Sequence, residues 1–246
     1  ATPYTLGVST GGAVGALLII KTGWMLSAAG LTGVQVAAFL GSLMTIGLVY
    51  MLSRRFGRLS IHSMILVGVT INYIFSAVIL ILHYLADFTE THQMIRWTIG
   101  GLDVVDYATL MRSLPVVGLS LLLFLGMSRA LNILSTSEEM ALSKGVNVGR
   151  VQKGAFLAAS LLTGTMVSLT GPIGFVGLII PHLLRLVLGP DHRYLLPAVF
   201  CFGGGFLVLA DTIARTVMAP LDLPVGIITT LIGGPFFLYL LIRRRA

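Results

Sequence analysis

Eight long runs of apolar residues constrain this chain more than any other feature of its sequence. An α-helix needs about 20 apolar residues to cross the hydrocarbon core of a bilayer. Runs near this length occupy residues 6–20, 34–52, 62–84, 108–127, 153–170, 174–188, 194–214 and 225–242. The first and sixth are short, which tilting or burial among neighbouring helices would compensate. Because lipid offers the backbone no hydrogen-bond partners, the runs predict an all-α polytopic membrane protein with about eight transmembrane helices.

The overall composition supports this fold class and argues against others. Hydrophobic residues make up 56% of the 246 residues and charged residues only 10%, too few to cover a soluble domain. The net charge of +7 comes from short basic clusters between apolar runs, without the aromatic-interleaved patch expected for binding nucleic acid. Cys201 is the single cysteine, which excludes a disulfide framework and a cysteine-based metal site.

The basic residues also predict the orientation, because cytoplasmic loops carry an excess of Lys and Arg. One side of the membrane would hold eleven of them: Arg54, Arg55, Arg58, Arg129, Lys144, Arg150, Lys153, Arg193, Arg243, Arg244 and Arg245. The opposite side would hold four: Lys21, Arg96, Arg112 and Arg215. This asymmetry predicts that both ends of the chain face the cytoplasm.

Two connections between the apolar runs are longer than simple turns. Residues 85–107 contain Trp97 and mixed charges, and we expect them to lie along the outer membrane interface. On the cytoplasmic side, the segment 135–149 contains Ser137, two glutamates and then Gly145. This order is typical of a short capped helix that ends at a glycine. The residues alone leave two interpretations open, a solvated linker or a docking element for a partner protein.

Small residues at intervals of four predict close helix packing. Gly7, Gly11 and Gly15 share one helix face, on which the backbone of another helix can approach closely. Ser160, Gly164 and Ser168 repeat the pattern. The glycine-rich segments 203–205 and 233–235 are expected instead to weaken their helices and allow them to bend.

Several classes of chemistry lack their motifs in this sequence. It has no phosphate-binding loop, no H-E-x-x-H zinc site and no G-x-S-x-G nucleophile elbow. A secondary transporter would need coupling carboxylates within its spans or inverted repeats, and neither is visible. The pattern therefore favours a translocator whose energy comes from elsewhere, with a secondary transporter or channel as the alternative from another class.

Five segments resemble one family of ABC importers. They are LGVSTGGAVGA at 6–16, SEEMALSKGV at 137–146, TGPIGFVGLIIPHLLRLVLGPDHRYLLP at 170–197, ADTIAR at 210–215 and LPVGIITTLIGGPFFLYLL at 223–241. In order and spacing they are similar to the FecCD-type permease subunits of iron–siderophore, heme and cobalamin importers. The resemblance implies ten helices per subunit, so residues 1–246 would be one permease domain lacking two N-terminal helices. It also implies that ATP is hydrolysed by a separate subunit, so this chain would be neither an enzyme nor the holder of a cofactor.

The resemblance further implies the partners and the coupling residues. The partners are a second permease subunit, identical or paralogous, two ATP-binding cassette subunits inside, and a periplasmic or lipid-anchored substrate-binding protein outside. The implied coupling residues at the ATPase contact are Ser137, Glu138, Glu139, Ala141, Lys144, Gly145 and Val146, with His182 and Arg185 at the inner mouth. Lys144 stands where the family usually has an apolar residue, so we expect this contact to be partly electrostatic.

Two further expectations follow from single residues compared with the family. The implied cytoplasmic gate comprises Ser60, Ile61, His62 and Ser63, although Ser60 could simply cap a helix. Arg215 is expected to bind the substrate-binding protein, and the alternative is a simple pair with Asp211 on the same helix.

The last expectations concern the effect of Pro181 on its helix and the cargo of the importer. Pro181 lacks an amide hydrogen and is expected to end or kink its helix. His182 beside it has no second ligand in view, which disfavours a metal site. Among the family's cargoes we expect a ferric siderophore first, with heme and cobalamin as alternatives.

Overall fold

The computed structural model describes residues 6–24, 30–55, 61–102 and 106–243. These residues form ten helices: α1 (Val8–Thr22), α2 (Gly33–Arg55), α3 (Ile61–Leu85), α4 (Phe88–Ile99), α5 (Tyr107–Leu134), α6 (Glu138–Ser143), α7 (Val148–Thr170), α8 (Val176–Leu188), α9 (His192–Val217) and α10 (Val225–Arg243). The predicted all-α class is therefore confirmed.

The eight apolar runs correspond to every helix except α4 and α6. Within the described ranges, α2, α3, α5 and α9 are long and apolar enough to cross a membrane. Helix α1, helix α8 and the apolar part of α10, Val225–Leu240, are shorter. The long helices also expose large apolar side chains such as Leu66, Leu122 and Val208, as a surface that faces lipid or a partner would.

The chain divides into two compact units. The first comprises Ala1–Thr98, Asp103–Ser120 and Phe156–Pro172, and the second comprises Ile99–Leu102, Leu121–Ala155 and Ile173–Ala246. Helices α5 and α7 contribute residues to both units. The expected organisation as one permease domain stays a prediction.

Gly11 and Gly15 of α1 pack against α2 in the first unit. A side chain on Gly11 would overlap Thr45 and the Gly41 carbonyl, and one on Gly15 would overlap the Ala37 carbonyl. Gly7 has a left-handed backbone with φ 82° and precedes the first turn of α1. The two backbones therefore approach each other at positions where any larger residue would push them apart.

The second stripe of small residues also packs in the first unit. A Cβ on Gly164 would lie 3.1 Å from the Ser42 Cβ, and Ser160 and Ser168 are buried. The Ser42 hydroxyl donates a hydrogen bond of 3.0 Å to the Val8 carbonyl. Small polar residues therefore fill this interface and supply part of its hydrogen bonding.

Helix α4 lies in the connection that the sequence placed along the membrane interface. Asp87 and Glu90 cap its first turn reciprocally, since each side chain accepts a hydrogen bond from the other residue's amide, at 2.8 and 2.9 Å. Met94 is fully buried in a cluster with Leu17 and Leu82. The connection is thus a helix that is partly packed within the first unit.

In the second unit, α8, α9 and α10 pack around two clusters of buried apolar residues. Ile180, Leu184 and Leu195 form one cluster, and the other consists of Ala210, Ala214, Val225 and Ile228. Pro181 lies inside α8, which continues to Leu188, so of the two expected effects Pro181 does not end its helix, and a kink at Pro181 stays a prediction. The proline costs one backbone hydrogen bond, and the buried Ile180 and Leu184 around it anchor the helix regardless.

The two glycine-rich segments lie within continuous helices, 203–205 in α9 and 233–235 in α10. A side chain on Gly233 would overlap Phe175, the residue before α8, so Gly233 serves packing. By contrast, a Cβ on any glycine of 203–205 would meet no atom of the described chain within 4 Å.

Candidate functional site

Helix α6 begins at the serine that the sequence marked as its cap. Ser137 has an extended backbone, and its hydroxyl accepts a hydrogen bond of 3.0 Å from the Met140 amide. Glu138 and Glu139 occupy the first turn, where carboxylates interact favourably with the positive end of the helix dipole. A six-residue helix is too short to be stable by itself, so such caps matter to it.

The end of α6 is a glycine turn with two backbone hydrogen bonds. Gly145 adopts φ +75°, its amide donates to the Leu142 carbonyl at 3.0 Å, and the Val146 amide donates to the Ala141 carbonyl at 2.9 Å. This pairing is a Schellman motif, which requires a left-handed residue just past the helix. Ala141 is fully buried. The predicted capped helix ending at a glycine is confirmed.

The turn leads directly into α7 and is tied to it. The Asn147 side chain accepts a hydrogen bond of 3.1 Å from the Arg150 amide and so caps α7. The Gln152 side chain donates to the Glu138 carboxylate at 3.0 Å. We refer to residues 137–152 as the coupling corner, a defined pair of short and long helices rather than an irregular linker.

The coupling corner exposes both apolar and charged side chains. Met140 is 47% exposed and Leu142 is 63% exposed, and Glu139 and Lys144 are exposed beside them. Such a mixture provides an apolar contact with charges around it, which is the usual composition of a protein-binding surface.

His182 and Arg185 lie on α8, three residues apart and thus near one helix face. His182 is half-buried, and Arg185 is exposed in the last turn, where a cation suits the negative end of the helix. None of the described hydrogen bonds or ion pairs joins them to the coupling corner. Their role at the inner mouth stays a prediction.

One polar cluster of the second unit was not predicted from the sequence. Asn132, near the end of α5, donates a hydrogen bond of 2.6 Å from Nδ2 to Asp191 Oδ1. Its Oδ1 accepts from the His192 amide at 2.9 Å and lies 2.6 Å from His192 Nδ1. A hydrogen bond from the Arg193 backbone amide and, to a smaller extent, one from the Asn132 side-chain amide lower the pKa of the Asp191 carboxyl. The feature of the sequence that could have indicated this cluster is a lone asparagine near the end of a largely apolar helix.

Arg215 bonds to Asp211 and to the Leu102 carbonyl, both within the second unit. Its Nε lies 2.8 Å from Asp211 Oδ2, so the i,i+4 pair considered from the sequence is present. Its Nη2 donates to the Leu102 carbonyl at 2.9 Å, although the side chain remains 41% exposed. The guanidinium therefore joins α9 to the segment before α5, and its binding of a partner stays a prediction.

The predicted gate falls at the edge of the described residues. Ser60 lies outside them, Ile61 and His62 begin α3, and Ser63 is half-buried in its first turn. The gate stays a prediction.

Comparisons with known proteins connect these features to a family. The model of the FecCD transport family matches residues 1–243. The hemin transport system permease protein HmuU of Yersinia pestis is 37% identical over 246 residues, which cover 100% of this chain and 73% of that protein. The cobalamin import system permease protein BtuC of Halobacterium salinarum is 42% identical over 241 residues, 98% of this chain and 63% of that protein.

A solved structure agrees with the sequence relatives. It is described as an inward-facing conformation of a metal-chelate type ABC transporter, and it matches this chain with a TM-score of 0.89 and 30% identity. The match covers 99% of this chain and 76% of the solved one. The chain therefore belongs to the FecCD transport family.

Proposed function

We propose that this chain is the permease subunit of a binding-protein-dependent ABC importer that moves a metal chelate across the cytoplasmic membrane of a prokaryote. The observation that carries the proposal is the coupling corner, an ordered and exposed helical segment in a member of a transport family. Hydrolysis of ATP belongs to a separate subunit, so the permease makes and breaks no covalent bonds.

The coupling corner fits a contact with an ATPase because it is both exposed and rigidly attached. The apolar side chains of Met140 and Leu142 supply area to bury, and Glu139 and Lys144 supply charges at its rim. The Gln152–Glu138 hydrogen bond ties α6 to α7. A displacement of α6 by the ATPase would therefore be passed on to a helix that runs from the corner into an apolar segment.

The distribution of carboxylates favours this function over a proton-coupled transporter. In the described parts of α2, α3, α5 and α9, Asp211 is the only Asp or Glu. It lies near the end of α9 and is paired with Arg215. A proton relay needs carboxylates that can gain and lose a charge within the span. A charged side chain is costly there, so a carboxylate within a span usually indicates a functional site. The absence of such groups from these four helices supports an external energy source.

The cargo we propose is a metal chelate: a ferric siderophore as first expected, or heme or cobalamin. The relatives described above concern hemin and cobalamin, which supports the wider class more than any one member of it. The apolar spans suit a conduit that binds its cargo weakly, because tight binding in the pathway would trap it. The ligand that co-purifies with the partner substrate-binding protein would identify the cargo.

The remaining proposed partners follow from the same function. Two copies of the permease, or one copy and a paralogue, would enclose the pathway, and two ATPase subunits would bind their coupling corners. Arg215 is proposed to contribute to binding of the substrate-binding protein, since its partly exposed guanidinium can still face acidic side chains. Both chain ends are proposed to face the cytoplasm.

Reconstitution tests the whole proposal. The permease is co-expressed with its candidate ATPase, purified, and placed in proteoliposomes with the binding protein and a ferric siderophore, heme or cobalamin. We expect co-purification of the two subunits and uptake that requires ATP. Uptake that proceeds at the same rate without ATP, driven by an ion gradient, would instead establish the secondary transporter.

A further inference from the structure

The stretch Asp191-His192-Arg193 marks the family resemblance but has no part in the function proposed above. It comprises the last residue of the α8–α9 connection and the first two residues of α9, a junction that we call the α8–α9 turn. Asp191 caps α9 there by accepting a hydrogen bond of 2.9 Å from the Arg193 amide. A residue of another helix also holds the turn: Asn132 of α5 bonds both the Asp191 carboxylate and the His192 backbone. A side chain 59 residues away in sequence thus fixes this turn.

The orientation of the Asn132 amide is determined by its partners. The His192 backbone amide can only donate, so it must face Oδ1, and the ionised Asp191 carboxylate can only accept, so it must face Nδ2. His192 Nδ1 also lies against Oδ1, at 2.6 Å, and donates to it. A hydrophobic residue at position 132 could make none of these bonds.

Asn132 lies at the base of the coupling corner. It is two residues before the end of α5 at Leu134 and five before the cap Ser137. The intervening chain is ordered, because the Ser135 and Thr136 hydroxyls donate to the carbonyls of Asn132 and Ile133, each at 2.7 Å. The α8–α9 turn is therefore fastened within a few residues of the start of α6.

We infer that Asn132 is a positioning residue for energy coupling: it makes the α8–α9 turn move together with the coupling corner. This inference rests on the proposed contact between the corner and an ATPase. Without the Asn132 bonds, α6 could shift without moving α8 and α9, and ATP would be hydrolysed without opening the pathway. Asn132 itself needs no contact with the ATPase or the cargo for this role.

The test exchanges the two ends of the hydrogen bond. Asn132→Asp alone places two carboxylates against each other and should separate the turn from α5. Asp191→Asn alone keeps an acceptor for both the Asn132 amide and the Arg193 amide, and should behave like the wild type. The double variant Asn132→Asp with Asp191→Asn reverses the donor and the acceptor, and should recover the bond when Nδ2 of the new asparagine faces position 132 and its Oδ1 keeps the Arg193 amide. Asn132→Leu removes it altogether, and Ser113→Ala, which loses a serine-to-carbonyl bond near the other end of α5, is the matched control.

Two measurements are made on each variant in the complete complex. The first is transport per ATP hydrolysed in proteoliposomes, with total ATPase activity and complex assembly recorded beside it. The second is hydrogen exchange of the His192 amide, which should accelerate by about fivefold in Asn132→Leu, as for the loss of one ordinary hydrogen bond. We expect Asn132→Leu and Asn132→Asp to assemble and hydrolyse ATP while transporting less per ATP, and the double variant to recover.

The outcomes separate this inference from the proposed function. If the wild-type complex transports and Asn132→Leu transports as much per ATP, Asn132 is not a positioning residue. A double variant no better than Asn132→Asp, in which the Arg193 amide exchanges as slowly as in the wild type, would refute the inference as well, since the damage would not come from the lost pairing. If the wild-type complex with its ATPase and binding protein shows no ATP-driven uptake, the proposed function fails first and the coupling role falls with it.

Discussion

Replacing Gly145 by valine should uncouple ATP hydrolysis from transport. Gly145 ends α6 with φ +75°, a conformation that a β-branched residue strongly disfavours. A Cβ at this position would meet no other atom of the described chain within 4 Å. The cost of the substitution therefore comes from the backbone rather than from a clash.

The size of the effect follows from that backbone conformation. A side chain in the left-handed region costs about 1–2 kcal/mol. This shifts the equilibrium between the capped and the opened corner by a factor of about 5–30. Opening breaks the hydrogen bonds from Gly145 to Leu142 and from Val146 to Ala141, which hold the end of α6. The rest of the fold should keep its stability, because most of α6 is exposed.

The assay compares transport per ATP in proteoliposomes for Gly145→Val, Gly145→Asn and the wild type. Asparagine tolerates the left-handed conformation better than other residues with side chains, so Gly145→Asn should stay near the wild-type value. Thermal unfolding of the purified permease should be similar in all three. Hydrogen exchange of the Val146 amide should be faster in Gly145→Val alone.

The corner has no part in coupling if hydrogen exchange shows it opened in Gly145→Val while transport per ATP remains that of the wild type. It would then be a structural feature only. A loss of transport that is equally large in Gly145→Asn would also count against the prediction, because the backbone conformation would not be the cause.

Three other predictions concern packing, docking and the gate. Gly15→Leu should lower the midpoint of thermal unfolding, since overpacking costs about 1–3 kcal/mol. The control Gly47→Leu should not lower it, because Gly47 is exposed on α2 and a Cβ there would meet no neighbouring side chain or helix within 4 Å. Arg215→Glu should weaken association with the substrate-binding protein and leave ATP hydrolysis unchanged. The loss should be larger at low salt, because exposed charges are screened over about 8–10 Å at physiological ionic strength. Binding equal to that of the wild type at low salt would show that Arg215 does not contact this partner. Cysteines at Ile61 or His62 should crosslink between two permease subunits in one nucleotide state of the ATPase and not in another. Crosslinking that is the same in all nucleotide states would refute the assignment of the gate to these residues.

The helices could be predicted because their cause is spread over many residues. Each apolar run of about 20 residues predicts its span without knowledge of the neighbours, and the predicted run 62–84 agrees closely with α3, Ile61–Leu85. Helix α4 was missed because its polar face breaks the apolar pattern. Its signal was the capping box of Asp87 and Glu90, which the sequence does carry.

Local caps could also be predicted, whereas distant partners could not. Ser137 and Gly145 act on amides and carbonyls within a few residues, so sequence spacing was sufficient. The Asp211–Arg215 pair is local as well. Asn132 bonds a turn 59 residues away and Arg215 a carbonyl 113 residues away, and no spacing rule relates positions so far apart.

These two distant bonds of the second unit share one design, in which a side chain near a helix end binds the backbone of a remote connection. Asn132 accepts from the His192 amide, and Arg215 donates to the Leu102 carbonyl. Helices in lipid gain little from hydrophobic attraction to each other, because lipid tails are as apolar as their side chains. Polar bonds at the helix ends therefore have a larger share in deciding which connections stay together when helices move. It follows that substitutions which separate coupling from folding should be found at such helix ends, while substitutions in the packed stripe of Gly11 and Gly15 should affect both together.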